Sequence, residues 1–332
     1  MTNVVDALVV NAGDSAVVSF EQLVPRHWVH KTLQENVYLT SVARQSDNKF
    51  LCGAIIPQLQ QHFLNAATRP AENILLLTEI ARQVGIACTH RLFNVPFNFT
   101  FLLSQFVCDL DIHNLSLLRN RMINEVTIYM TMRDTVDGTT EKLTTMNSDF
   151  SFFYEQKLIW RGKFDWSFMP SKRYKRLRSL TRQKQVLPSN NLPPLPTQVS
   201  WEAQRKQRGT RSPTASVLAV SSDAVELVKE ATLVVDEQDL FFFDHYCDHV
   251  PGMLIFQGFN ELAIRYCADS APNYVTQAEL NFHNFAELNL PVRLSVLGCN
   301  SNSLSRSVQL QATQNNHLLA QATLRVSNLK EI

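Results

Sequence analysis

One long, largely apolar segment with helical character occurs in each half of the chain. The first runs from about Asn73 to Phe93 and the second from about Gly252 to Cys267. Apolar residues occupy most positions in both segments, so neither has the broad polar face of a surface helix. The pattern predicts two buried helices, each with its own wrapping of other elements.

Segments with the two-residue alternation of strands accompany each helix. The first half has such segments at 35–42, 97–103, 125–133, 148–154 and 157–164, and the second at 225–235, 277–282, 292–298, 307–314 and 319–327. Asn315-Asn316 predicts a hairpin turn between the last two. A long central helix wrapped by a curved antiparallel sheet, occurring twice, predicts an α+β tandem (double) hotdog fold.

Composition describes a globular chain of about two domains. The 332 residues are 45% hydrophobic and 18% charged, with nine glycines, which leaves ample material for a core. The chain contains no apolar run of membrane-spanning length and no leader-like amino terminus, so we expect a cytoplasmic protein without a membrane span. The six cysteines lack the spacing of a disulfide frame or a zinc site, and we expect no metal and no cofactor.

Basic charge is concentrated in the middle of the chain. Residues 172–211 carry eleven Lys/Arg and a single acid, Glu202, and the same segment contains several prolines. We therefore predict a first repeat at 1–170, a basic, proline-containing linker at 171–212 and a second repeat at 213–332. The segment is either a solvated linker or a docking strip for an acidic partner such as an acyl carrier protein. Nucleic acid is not expected, because neither interleaved aromatic residues nor a helix-turn-helix pattern accompanies the charges.

The first apolar helix carries a charged pair, Glu79 and Arg82, followed by Gln83. Residues three apart share one face of a helix. Charges on so apolar a helix are costly to bury unless they are paired or take part in chemistry. The pair is therefore either a candidate functional site or a plain ion pair on an exposed face.

Five segments in order resemble the A-factor synthase family, the tandem hotdog enzymes of γ-butyrolactone signal biosynthesis. They are LVPRHWVHKTLQENVYLTSV (23–42), LLLTEIARQVGIACTH (75–90), RYKRLR (173–178), FFDHYCDHVPGML (242–254) and NFAELNLPV (284–292). The resemblance implies transfer of a β-ketoacyl group from a carrier thioester, β-ketoacyl-ACP or β-ketoacyl-CoA, to a hydroxyl of dihydroxyacetone phosphate. The ester that results can close to a phosphorylated butenolide.

The family's Glu-x-x-Arg-Gln helix is retained only in the first half. Aligning Leu75 with Met253 places Gln257 opposite Glu79 and Asn260 opposite Arg82. The resemblance to hotdog dehydratases, whose sites combine a loop histidine from one half with a helix acid from the other, implies one active composite site. It would combine Glu79 and Arg82 with the loop from His245 to His249, and the site at Gln257 would be silent.

The chemistry of acyl transfer suggests a role for each candidate. Glu79, with a pKa raised by burial, is the predicted base for the acceptor hydroxyl, and Arg82 either binds the phosphate or orients Glu79. Peptide amides near Gly252 and Met253, or at the start of the first helix, could stabilise the thioester oxyanion. The remaining predicted substrate-binding residues are Gln83, His245, Asp248, His249, His30 and Lys31.

Structural roles and other activities remain open at this point. His249 or Asp248 could instead cap the second helix, and His30 and Lys31 could lie at a solvated strand end. A dehydratase or thioesterase on the same fold, or a non-catalytic acyl binder, would also fit the sequence. The intact Glu79 and Arg82 favour an enzyme over a binder.

Overall fold

The computed structural model describes residues 9–10, 17–57, 73–111, 113–114, 125–133, 144–185, 216–220, 228–268, 273–302 and 305–328. The chain forms two compact units, Met1–Ser171 and Lys172–Glu331. Each unit contains one long central helix and its own antiparallel sheet. Each is described separately below.

The first unit wraps seven strands around helix α1 (Ile74–Leu92). The strands are β1 (Val9–Val10), β2 (Leu39–Ser46), β3 (Lys49–Ile55), β4 (Phe99–Leu110), β5 (Glu125–Met132), β6 (Thr144–Tyr154) and β7 (Lys157–Pro170). Within this unit the sheet order is β1-β2-β3-β5-β6-β7-β4, antiparallel throughout except for the parallel β1–β2 pair. Two short 3-10 helices, Arg26–Val29 and Gln34–Asn36, precede β2.

The second unit wraps six strands around its own central helix. It contains α2 (Ser171–Gln185), whose first residue belongs to the first unit, α3 (Gly252–Tyr266), β8 (Leu218–Ala219), β9 (Glu230–Leu233), β10 (Asn273–Phe282), β11 (Arg293–Ser301), β12 (Ser305–Gln314) and β13 (His317–Asn328). The sheet order within this unit is β8-β9-β11-β12-β13-β10, and all of these pairs are antiparallel.

The two units share one topology. Apart from the short β1 of the first unit, two strands precede the central helix in each unit and four follow it, and the first strand after the helix pairs with the last one. The order β2-β3-β5-β6-β7-β4 in the first unit therefore corresponds to β8-β9-β11-β12-β13-β10 in the second. The prediction of a tandem hotdog is confirmed.

Helix α1 is buried on nearly every side, as its apolar sequence predicted. Its Asn73 side chain accepts hydrogen bonds from the amides of Leu75 and Leu76, which caps the amino terminus. Gly85 lies directly against the indole of Trp166 on β7, where a Cβ atom would come within 1.4 Å of the ring. A glycine is required here because the strand side chain packs onto the helix backbone.

The same two-residue turn closes the last hairpin of each unit. Asn315 and Asn316 connect β12 and β13 with positive φ angles of 50° and 65°, which confirms the predicted turn. Glu155 and Gln156 connect β6 and β7 with φ angles of 43° and 66°. Left-handed backbone at both central positions matches the twist of a tight hairpin, although asparagine adopts it more readily than glutamate or glutamine.

Part of the segment predicted as a linker, 171–212, is helical. Residues Ser171–Gln185 form α2, and its Arg178 is 1% exposed. The sequence left open whether these basic residues lie in a solvated linker or on a docking strip, and the helix buries Arg178 while Lys172, Lys175 and Arg176 are exposed. The rest of the proposed linker, 186–212, lies outside the described residues, and the boundaries of the three predicted segments stay a prediction.

Several strands differ in extent from their predicted bounds. Residues 35–38 precede β2 instead of belonging to it, and β4 and β7 continue to Leu110 and Pro170. Strand β3 was not predicted, since its apolar run KFLCGAI does not alternate. The strand expected at 225–235 is the shorter β9, and residues 221–227 lie outside the described part of the chain.

Candidate functional site

A buried carboxylate with two cations lies on one face of α1. Glu79 is 2% exposed, and both of its oxygens accept hydrogen bonds from Arg82, at 2.7 Å from Nε and 2.9 Å from Nη2. The Nζ of Lys31 lies 3.1 Å from Glu79 Oε1. Among the described residues, two cations therefore meet at one buried carboxylate, and the plain surface ion pair considered from the sequence does not describe this arrangement.

Gln83 ties this cluster to the segment before β2. Its Nε2 donates to Glu79 Oε1 at 3.0 Å and to the carbonyl of Asn36 at 2.8 Å, while its Oε1 accepts from the amide of Tyr38 at 3.0 Å. Gln83 is fully buried, so these bonds are shielded from water. The glutamine therefore fixes the carboxylate in place, which explains its position directly after the charged pair.

The expected raised pKa of Glu79 is wrong. Burial alone raises the pKa, but the charges of Arg82 and Lys31, together with hydrogen bonds from Arg82 and Gln83, outweigh it. The net effect holds the pKa of Glu79 well below its usual range. A carboxylate with a lowered pKa is a weaker base, so this arrangement fits an anchor for cations better than a proton acceptor.

His30 lies next to Lys31 but faces a different partner. Its Nε2 is 2.7 Å from Nε2 of His90, and His90 Nδ1 is 2.8 Å from the carbonyl of Val95. Phe101 packs edge-on against both imidazole rings. Burial holds the pKa of His90 below its ordinary value, although the Val95 carbonyl acts in the opposite direction. Only Lys31 of the two predicted residues contacts Glu79 in the described residues.

The second unit contains a separate polar cluster around Asp248 and His249. The Nδ1 atom of His249 lies 2.7 Å from Asp248 Oδ1. The hydroxyl of Tyr174 donates to the same oxygen at 2.6 Å and lies 3.3 Å from His249 Nδ1. The ring of His249 rests edge-on against Phe285, with 4.9 Å between centroids. Asp248 and His249 therefore act on each other and do not cap α3 with their side chains, since no side-chain cap is present there.

Arg178, on α2, binds both Asp248 of this cluster and the buried acid Glu287. Its guanidinium binds both oxygens of Glu287, at 2.9 and 3.1 Å, and also the backbone carbonyl of Asp248 at 2.9 Å. Its Nε lies 3.3 Å from Asp248 Oδ2. Glu287 is 2% exposed and its loop is anchored by Gln314, whose amide binds the Glu287 backbone on both sides. The bidentate pair satisfies a buried arginine that would otherwise be very costly.

These contacts shift the ionisation of the cluster. Burial raises the pKa of Asp248, but His249, Tyr174 and Arg178 outweigh it and lower the pKa to about 2. Burial, followed by the nearby Asp248 charge, raises the pKa of the Tyr174 hydroxyl well above its usual range. Asp248 is therefore an ionised acceptor and Tyr174 a protonated donor at neutral pH.

The remaining predicted residues lie in or after the same loop. His245 is partly buried in the segment that leads to Asp248, and Gly252 and Met253 are the first two residues of α3. The first intrahelical hydrogen bonds are donated by Leu254 and Ile255 to the Pro251 carbonyl. The amides of Gly252 and Met253 thus belong to the free first turn of the helix. At the start of α1, by contrast, the Asn73 side chain already occupies two amides.

The aligned positions on α3 carry no charge, as the sequence indicates. Gln257 donates to Glu261 Oε1 at 3.1 Å, and Glu261 lies 3.8 Å from Arg265. No second guanidinium-carboxylate pair occupies the positions of Glu79 and Arg82 in this unit. The silence of this position in catalysis stays a prediction.

Sequence reasoning did not assign a site role to Tyr174, Arg178, Phe285 or Glu287. A usable signal was present, because Tyr174 and Arg178 are four residues apart and share one face of a helix. The signal was obscured by the basic composition of the segment, which favoured an exposed connector. The described residues contain no group of three or more metal-binding side chains, and no helix among them is long and apolar enough to cross a membrane.

Comparison with known families decides where the chain belongs. The model of the A-factor biosynthesis hotdog domain matches residues 14–170 and 212–330. The chain belongs to this family. The A-factor biosynthesis match leaves out 171–211, the segment that contains α2.

Among the similar proteins is a synthase. The chain is 26% identical, over 81% of its own length and 85% of the relative's, to the 2-oxo-3-(phosphooxy)propyl 3-oxoalkanoate synthase of Streptomyces virginiae. Similar solved structures include an oleoyl thioesterase from Lactobacillus plantarum, at 12% identity, a TM-score of 0.49 and coverage of 84% of this chain and 96% of that one. An acyl-ACP thioesterase from Bacteroides thetaiotaomicron follows at 11% identity, a TM-score of 0.46 and coverage of 83% and 98%. These two similarities carry nothing about activity.

Proposed function

We propose that this protein is an acyltransferase that moves a β-ketoacyl group from a carrier thioester to a hydroxyl of dihydroxyacetone phosphate. The hydroxyl oxygen attacks the thioester carbonyl, the carbon–sulfur bond breaks, and the hydroxyl proton ends on the carrier thiolate. The products are a phosphorylated ester and a free thiol. Intramolecular condensation of the ester would give a butenolide phosphate, the precursor of a γ-butyrolactone signal.

The observation that carries the proposal is the pair of cations held at Glu79. Lys31 and Arg82 both have a side-chain nitrogen within 3.1 Å of its carboxylate, and an ammonium beside a guanidinium suits the phosphate of the acceptor. The name of the Streptomyces virginiae relative states a 3-oxoalkanoate joined to a phosphooxypropyl group. A phosphorylated acceptor is therefore the natural substrate class for a family member that keeps these cations.

In this proposal Arg82 binds the phosphate and Glu79 orients it. The Arg82 side chain is 19% exposed, whereas Glu79 is almost completely enclosed, so a ligand would meet the guanidinium first. The lowered pKa of Glu79 argues against the role of base that the sequence suggested. That role stays a prediction, and its test is part of the experiment below.

His249 is the stronger candidate for the base. A histidine whose Nδ1–H is held by an ionised carboxylate presents its Nε2 lone pair to a substrate hydroxyl, the arrangement used in many acyl transfers. Nε2 of His249 has no hydrogen-bond partner among the described residues, and the side chain is 27% exposed. The amides of Gly252 and Met253, close by in sequence, are candidates for the oxyanion donors.

The donor is proposed to be β-ketoacyl-ACP or β-ketoacyl-CoA. Lys172, Lys175 and Arg176 are exposed on α2 and form a cationic face, which suits an acidic acyl carrier protein or the phosphates of coenzyme A. The same helix contributes Tyr174 and Arg178 to the Asp248 cluster. A donor docked on this face would therefore lie on the element that supports His249.

The test is incubation of the purified protein with a series of β-ketoacyl thioesters and dihydroxyacetone phosphate, followed by mass spectrometry. We expect the mass of the phosphorylated ester or butenolide. Arg82→Ala should raise KM for the acceptor about 10- to 100-fold, since a charge-assisted hydrogen bond contributes about 1.5–3 kcal/mol. The exposed Arg161→Ala serves as the matched control and should change nothing.

Two outcomes would overturn parts of the proposal. Absence of product with every thioester would refute the proposed transferase activity. Loss of turnover in Glu79→Gln at an unchanged acceptor KM would return the role of base to Glu79.

Thioester hydrolysis is the second candidate, because the Asp248–His249 pair could activate water in place of a hydroxyl. The two activities differ in their response to the acceptor. A transferase diverts the acyl group into ester as dihydroxyacetone phosphate rises, whereas a hydrolase releases free acid at a constant rate.

A further inference from the structure

Helix α2 lies outside the residues matched by the family model, and the only role given to it so far is docking of the donor on its exposed face, yet it supplies two side chains to the Asp248 cluster. We propose that Tyr174 and Arg178 are positioning residues that hold Asp248 so that it fixes His249 with its proton on Nδ1. This inference rests on the proposed function for its catalytic consequence, but its structural part can be tested without activity.

The first step of the argument concerns the oxygen that Tyr174 and His249 share. Both lie within 2.7 Å of Asp248 Oδ1, while the direct distance from the Tyr174 hydroxyl to His249 Nδ1 is 3.3 Å. A phenol always carries its proton here, because burial and the Asp248 charge raise the pKa of Tyr174. The shorter distance assigns that proton to the carboxylate, so the carboxylate is the acceptor for His249 Nδ1–H as well.

The second step concerns the orientation of the carboxylate. A carboxyl group fixed at one oxygen can still rotate about its bond to Cβ. Arg178 binds the backbone carbonyl of Asp248 and approaches its other oxygen, Oδ2, so the residue is held at two points. Glu287 in turn fixes the guanidinium through two hydrogen bonds.

The third step concerns the rings. The Arg178 guanidinium lies 4.6 Å from the centroid of Phe285, the His249 ring lies at 4.9 Å from it and the Tyr174 ring at 6.1 Å. One phenylalanine is therefore in contact with all three groups. This packing restricts the rotation of the imidazole, which the hydrogen bonds alone would not do.

The alternative arrangement is specific. If Tyr174 donated to a bare Nδ1, the proton of His249 would lie on Nε2, and His249 could not accept a proton from a substrate there. Asp248 faces Tyr174, His249, Arg178 and, at longer range, Tyr246, and none of the other groups replaces the contact with His249 Nδ1–H. The two tautomers of His249 have different nitrogen-15 chemical shifts at Nδ1 and Nε2.

The experiment combines nitrogen NMR with kinetics on the full chain. In protein labelled with nitrogen-15 histidine, the His249 signals are assigned by their loss in His249→Gln. The wild type should show the Nδ1–H tautomer of the neutral ring. Asp248→Asn should populate the Nε2–H tautomer, and Tyr174→Phe should give a mixture. Tyr129→Phe, which removes a half-exposed hydroxyl elsewhere, should match the wild type.

Kinetics then tests the catalytic consequence. Tyr174→Phe should lower kcat about 10- to 100-fold with KM for both substrates unchanged, which is typical of groups that orient a reacting side chain. Asp248→Asn should lower kcat by about 10²- to 10⁴-fold. Arg178→Lys keeps the positive charge but not the paired hydrogen bonds of the guanidinium, and its kcat should lie between those of the wild type and Asp248→Asn.

Two results would overturn the proposal: an Nε2–H tautomer in the wild type, or a Tyr174→Phe variant with wild-type tautomer and wild-type kcat. Failure of the transferase itself has a different signature, in which the tautomer shifts occur as expected but no thioester supports product.

Discussion

Replacing Arg178 by methionine should destabilise the protein strongly while changing its volume little. The guanidinium is 1% exposed and is the partner of two acids, Glu287 at 2% and Asp248 at 9% exposure. Methionine fills much of the space but leaves Glu287 without its bidentate partner, with only the Nε of Arg182 at 3.2 Å, and Asp248 without a guanidinium. Removal of one member of a buried ion pair costs about 3–5 kcal/mol, chiefly because the other charge stays buried.

The size of the effect can be expressed as a melting temperature. For a domain of 150–250 residues, each kcal/mol shifts Tm by about 2–4 °C, so the expected loss is about 6–20 °C. Differential scanning calorimetry at neutral pH measures it directly. The matched control is Arg161→Met, because Arg161 is 65% exposed and its bridge to Asp109 should contribute at most about 1 kcal/mol.

A second comparison isolates the uncompensated charge. Adding Glu287→Gln to Arg178→Met removes one buried negative charge and should recover part of the lost stability. A single variant that melts within 2 °C of Arg161→Met would refute the reasoning. So would a double variant less stable than the single one, since that would mean lost packing, not lost charge, dominates.

Two further predictions concern pH and packing. Because the pKa of Asp248 is lowered from 3.8 to about 2, its ionisation contributes stability above about pH 4 that is lost as the pH falls towards 2. Between pH 5 and pH 3 the stability measured by urea unfolding should therefore fall by about 1 kcal/mol less in Asp248→Asn than in the wild type, and an equally steep fall would contradict this. Gly85→Ala should cost at least about 1–3 kcal/mol, since the new Cβ would overlap the Trp166 ring. Calorimetry checks it, with Gly298→Ala, whose Cβ has room, as the near-neutral control.

The two central helices were predictable because their patterns are long. A segment of 19 residues in which apolar side chains hold most positions is too long for an ordinary strand and indicates a buried helix, and the predicted limits of α1 differ from Ile74–Leu92 by one residue at each end. Strand β3 was missed because its run KFLCGAI is buried on both faces and so does not alternate. Hydrophobic periodicity identifies elements with one solvent-exposed face and one buried face, and β3 shows no such difference between its faces.

The polar clusters were predictable only where the charge stood out against its surroundings. Glu79 and Arg82 were found because apolar residues flank them. Arg178 is one of eleven basic residues in its segment. The sequence does not distinguish it from the others, because its partners Asp248 and Glu287 lie 70 and 109 positions away. The pKa of Glu79 was misjudged for a related reason, since Lys31 comes from a distant segment and adds a second cation that the helix pattern does not reveal.

Strand β7 ends at Pro170 and α2 begins at Ser171. This junction determines where a fragment of the second half must begin if it is to fold alone. A fragment that started at residue 213, where the sequence suggested a boundary, would contain the hotdog elements but neither Tyr174 nor Arg178. Asp248 and Glu287 would then be two buried acids without their guanidinium. A fragment that started at Ser171 would retain it, so the shortest self-sufficient second half is longer by one helix than the repeat that the family pattern defines.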